Sequence, residues 1–166
     1  MLSHILIKGS SMKKIICMLL ISMGMLHAQE GSAKVVYDLT TKDLSNFELR
    51  ILSAAVANKA HYEGSLRELD IAVIIHGGAY KFFVKYPEHS EFKDDKALGS
   101  TYKTLAKRIQ TLATTYDVQF LVCGSGARKH GLEKKDIYDF VKIIPNASIG
   151  LIDKQNEGYA YVPVRD

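Results

Sequence analysis

The chain has 166 residues, which fits one domain with room for a hydrophobic core. Hydrophobic residues make up 47% and charged residues 24%, the balance of an ordinary soluble globular protein. The net charge of +4 includes Lys8, Lys13 and Lys14, in a segment expected to be removed; without them 19 basic residues meet 18 acidic ones. That near-neutral balance argues against a nucleic-acid or anionic-membrane surface, which needs clustered positive charge.

The N-terminus has the pattern of a secretory signal peptide. Lys13 and Lys14 form a positive region, Ile15 to Leu26 an apolar run, and Ala28 a small residue before a cleavage point. Met12 directly precedes the lysines and is the expected true start. A retained membrane anchor is the competing reading, but the run is short for roughly 30 Å of hydrocarbon. Residues 1–28 are therefore expected to be a signal peptide and 29–166 a single exported domain, periplasmic or secreted, with no membrane attachment after cleavage. Removal of Cys17 leaves Cys123 alone, which excludes an internal disulfide. A lone thiol in an oxidising compartment is buried, paired with a partner or used, and composition leaves these open.

Lys34 to Thr40 is β-rich, and Thr41 or Asp43 can cap a following helix running to about Tyr62, broken at Gly64. Leu69 to Ile75 is continuously apolar, as in a parallel strand covered on both faces. His76-Gly77-Gly78 ends it. Ala79 to Lys96 reads as a short helix and a loop, with Tyr80, Phe82, Phe83 and Tyr86 as core or pocket aromatics. Leu98, Tyr102, Leu105, Ile109 and Leu112 mark an amphipathic helix. Val118 to Cys123 is a third strand, Gly124-Ser125-Gly126 a turn and Leu132 to Val141 a short helix. Ala147 to Ile152 reads as a fourth strand and Tyr159 to Val164 as a fifth, with Pro163 favouring a sheet edge. The alternation predicts a three-layer α/β sandwich with a mainly parallel five-stranded sheet.

Ligands in such folds bind outside the carboxyl ends of the strands, where both His76 and Cys123 are expected. Cys123 opens the run Cys-Gly-Ser-Gly-Ala-Arg-Lys-His-Gly. Gly124 and Gly126 would let the backbone expose the sulfur, while Arg128, Lys129 and His130 would favour its thiolate, the nucleophilic form. Turn amides around Ser125 could hold an anion. A cysteine turned into the core fits the spacing equally well. His76 is an acid, base or hydrogen-bond partner in one reading and a structural residue in the other. His61, His89 and His130 show no metal spacing, so no metal site is expected, and no nucleotide fingerprint or nucleophile elbow is present. Asn146-Ala147-Ser148 matches a glycosylation triplet and carries no weight.

Three stretches together resemble the DsrE/DsrF-like family of small sulfur-relay proteins: Val73-Ile-Ile-His-Gly-Gly-Ala79, Val118-Gln-Phe-Leu-Val-Cys-Gly124, and Ile144-Pro145 through Gly158-Tyr-Ala-Tyr161. The resemblance covers residues 34–164. It implies a parallel-sheet fold that assembles into homo-oligomers, and a persulfide-carrying cysteine at Cys123. His76 and Gly77 match a recurrent His-Gly pair, with Gly78 where many relatives have proline. The expected function is sulfur transfer to or from a thiol-bearing partner, with no cofactor and with Gly77, Gly78, Gly124, Ser125, Gly126 and Arg128 around the bound group. The alternative is a ligand-binding or oligomeric scaffold without sulfur chemistry.

Overall fold

In the computed structural model, residues 32–166 are described; the signal peptide expected over residues 1–28 lies outside them. Strand β1 (Ala33–Leu39) runs parallel to β2 (Leu69–Ile75), with Ala33 opposite Leu69 and Leu39 opposite Ile75. β3 (Gln119–Cys123) continues the sheet beyond β2, and β4 (Lys142–Ile144) beyond β3. β5 (Ala160–Val164) returns to pair with β1. The order β4-β3-β2-β1-β5 is parallel at every step, so the expected mainly parallel sheet is wholly parallel.

Asp43 caps α1 (Leu44–Phe47), its side chain accepting from the Asn46 N–H at 2.6 Å. The helix passes through a π-helical stretch (Glu48–Ser53) into α2 (Ala54–Glu63). After β2 the chain makes a 3-10 helix (Gly77–Phe83), then α3 (Lys96–Gly99) and α4 (Tyr102–Thr114). Leu105, Ile109 and Leu112 form the buried stripe of α4, as their spacing predicts. α5 (Gly124–Lys129) follows β3, and α6 (Ala147–Asn156) joins β4 to β5.

Register assigns the layers. Tyr37, Val73 and Phe120 are successive partners across three strands. Tyr37 accepts a hydrogen bond from Asn58 of α2, and the Phe120 ring is 5.4 Å from that of Phe83. These elements therefore share one face. Ile74, one residue on, points to the other. There a Cβ added at Gly150 of α6 would lie 3.1 Å from Ile74 Cδ1 and 2.4 Å from Ile144 Cδ1. Three layers result. Four strands laid down in one direction, followed by a return across the sheet, place α6 opposite the other helices when every crossover is right-handed.

Three local expectations are corrected. Ala147–Ile152 is not a strand: it is the first part of α6, begun by Asn146, whose side chain accepts from the Ile149 N–H at 2.9 Å. Leu132–Val141 is not a helix beyond the single 3-10 turn Lys134–Asp136, and the fourth strand is Lys142–Ile144. Gly124–Gly126 is helical, belonging to α5. Pro163 does lie on an edge strand, β5.

Candidate functional site at the carboxyl rim of the sheet

Cys123 is the last residue of β3 and lies two positions beyond Leu121, the register partner of Ile74, so its side chain takes the α6 face. Its Sγ is 3.2 Å from Ser125 Oγ, and the backbone N–H groups of Gly126 and Ala147 also act on it. Ala147 opens α6, so the positive end of that helix adjoins the sulfur. The residue is only 6% exposed. Burial alone would raise the thiol, but Ser125, Gly126, Tyr80 and Ala147 outweigh it and hold it below its ordinary value. The Tyr80 hydroxyl donates to the Cys123 carbonyl at 2.9 Å and also faces the sulfur; with one proton it serves one acceptor at a time. Desolvation and the neighbouring thiol push the Tyr80 phenol up.

Close approach, not unusual backbone torsion, requires the glycines after Cys123. A Cβ at Gly126 would lie 1.9 Å from the Tyr80 hydroxyl oxygen, and one at Gly124 would lie 2.9 Å from the Ile144 carbonyl oxygen. Gly77 differs: its φ of +60° is left-handed, the region glycine enters without steric penalty. Gly78 is pressed on Lys42, whose Cβ is 2.7 Å from where its own would stand. Arg128 is exposed on α5 with Nη1 above Gly124.

His76 does not bond to Cys123. Its Nε2 lies 2.5 Å from Oδ1 of Asp38, a β1 carboxylate that is 4% exposed. Oδ2 of Asp38 accepts from the Tyr161 hydroxyl at 2.6 Å and from Arg165 Nη2 at 3.2 Å, and Arg165 Nη2 also meets the Tyr161 oxygen at 2.8 Å. Burial would raise the Asp38 carboxyl, but these three partners hold it below its ordinary value. Ile75 pairs with Val122, so the next positions, His76 and Cys123, are neighbours at the ends of adjoining strands. Across the sheet from β5 to β3 the rim thus reads Tyr161 and Arg165, Asp38, His76, Cys123.

Other residues fall elsewhere. His130 pairs with Glu91 and lines a separate polar groove with Tyr86, His89 and Glu133. Tyr80, Phe82 and Phe83 are core, and Tyr86 is exposed. Among the described residues no three His, Cys, Asp or Glu side chains are grouped to hold a metal ion. None of the described helices is long and apolar enough to cross a membrane. Sequence reasoning did not find Asp38, Arg165 or the Ala147 N–H. In the sequence, Tyr161 stands out only as the end of the Gly158-Tyr-Ala-Tyr161 stretch.

Fold and rim define a small α/β protein with a polar cluster and a cysteine at the carboxyl ends of a parallel sheet. The profile of the DsrE/DsrF-like family matches residues 34–164, and the chain belongs to that family. An uncharacterized protein of Aquifex aeolicus (strain VF5) is 27% identical over 135 residues, covering 78% of this chain and 55% of the relative. The chain therefore spans about half the length of that curated relative. A solved protein of unknown function from Methanobacterium thermoautotrophicum shares the fold with a TM-score of 0.61 and 20% identity, covering 80% of this chain and 99% of that one.

Proposed function

We propose that the protein is an exported sulfur carrier: Cys123 accepts sulfane sulfur as a persulfide and passes it to a thiol on a partner protein. The observation that supports this most is the convergence of the Ser125 hydroxyl and the Gly126 and Ala147 amides on one thiol, which is held low against its own burial. In the reaction the Cys123 thiolate attacks the outer sulfur of a donor persulfide. The donor S–S bond breaks, its inner sulfur departs as a thiolate, and Cys123 keeps the transferred sulfur. Attack by an acceptor thiol reverses the process, so no external oxidant is consumed. Gly77, Gly78, Gly124, Ser125, Gly126 and Arg128 would border the bound anion. Self-assembly into a homo-oligomer belongs to the same reading.

Mass spectrometry after incubation with polysulfide tests it. The wild type should gain one sulfur atom and Cys123→Ser none; no gain in the wild type, or equal gain in both, removes the proposal. Export is tested by fractionating cells that express the full chain, with the shortened protein expected outside the cytoplasm.

A second reading, an oligomeric or ligand-binding scaffold, is favoured by the 6% exposure of Cys123. It requires Cys123 in the folded protein to react with iodoacetamide no faster than an ordinary buried thiol.

A further inference from the structure

The carboxylate of Asp38 is held at both oxygens. Oδ1 meets His76 Nε2, while Oδ2 accepts from Tyr161 and Arg165. A carboxylate so fixed cannot turn, and an ionised one can only accept hydrogen bonds. Neutral His76 must therefore carry its proton on Nε2. Among the described residues Nδ1 has no hydrogen-bond partner, and the adjoining position across the strands is Cys123.

We propose that Asp38 is a positioning residue: it fixes the His76 tautomer so that Nδ1 takes the Cys123 proton and returns it to the departing thiolate. This rests on the carrier reading above. The step balances. Cys123 loses a proton to Nδ1 and attacks the outer sulfur, the donor S–S electron pair leaves with the inner sulfur, and the imidazolium protonates that thiolate. The histidine ends as it began, bearing hydrogen on Nε2. The same orientation of an imidazole by a buried carboxylate serves hydrolytic triads and metal ligands. Asp38 on β1 meets the ring, Tyr161 on β5 and Arg165 beyond it meet Asp38, Cys123 stands at the adjoining strand end of β3, and Lys42, whose backbone N–H donates to Asp166, lies against Gly78.

The test is the rate of sulfur uptake by Cys123 from cysteine persulfide, followed by mass across a pH series. The wild type, Asp38→Asn and His76→Gln are compared. His76→Gln should remove an inflection from the wild-type profile. Asp38→Asn should displace that inflection and slow uptake about tenfold or more, within the range of acid–base catalysis. A merely structural role would scale all rates by one factor. Uptake in the wild type and Asp38→Asn with superimposable or uniformly scaled profiles overturns this proposal and leaves the carrier standing. No uptake by the wild type at any pH overturns both. If Asp38→Asn does not fold, nitrogen NMR of the wild type decides: a proton on Nε2 of neutral His76 supports the assignment, and one on Nδ1 overturns it.

Discussion

The Tyr80 hydroxyl occupies the space a side chain at Gly126 would need, its oxygen 1.9 Å from that Cβ position, while it donates to the Cys123 carbonyl at 2.9 Å. One phenol thus ties the 3-10 helix after β2 to the turn of chain that carries the cysteine. Gly126→Ala must push the ring aside, which destabilises by about 1–3 kcal/mol as overpacking does. Tyr80→Phe leaves the carbonyl without its donor and costs about 1 kcal/mol. Urea unfolding of the double mutant should show less than the sum of the two losses, because both act on the same contact.

Iodoacetamide should label Cys123 below the pH range of an ordinary thiol once the reagent gains access, since its thiol is held low. Ser125→Ala removes the hydroxyl at 3.2 Å and should slow labelling at neutral pH about tenfold, the effect of losing one hydrogen bond to a charged group. Equal rates in both proteins would show that the hydroxyl does not stabilise the thiolate.

Asp38 should make stability depend on acid. Its folded-state value lies below the ordinary 3.8, so its contribution is complete above that value and is lost as pH falls through the lower folded one. Asp38→Asn should cost on the order of 2 kcal/mol at neutral pH, because Arg165 and His76 lose a charged acceptor. Denaturant melts of the two proteins should converge in strong acid. A constant gap at every pH would contradict the assignment.

Asn146→Ala removes the cap of α6 and should cost about 1 kcal/mol in thermal or urea unfolding. The first N–H of that helix acts on the sulfur, so Cys123 labelling should slow in the same variant. An unfolding change without a labelling change would separate the helix from the thiol.

β1, β2 and α4 were legible because local pattern and tertiary role agree: a β-rich stretch, an apolar run buried on both faces, and a stripe at helical spacing. Agreement failed at α6. Ala147 to Ile152 is apolar throughout and of strand length, yet Ile149 and Ile152 face outward while Ala147 and Gly150 pack inward. Small residues against the sheet and large ones outside invert the usual helical pattern. Asn146 is a helix-capping residue type just ahead of the run, a signal that the strand reading did not use. Cys123 and His76 were placed at the rim from strand ends alone. Asp38 was not, because its partners Tyr161 and Arg165 lie more than a hundred residues away in the chain, and one aspartate in an apolar strand carries no local mark.

Alternate residues of a strand present their amide groups to opposite sides. Val164 accepts from Thr40 across the β1 junction, so Pro163 turns its ring nitrogen outward, where an added strand would seek a donor. That margin of the sheet is missing a hydrogen at the place where another chain would attach, and the ribbon stops growing there.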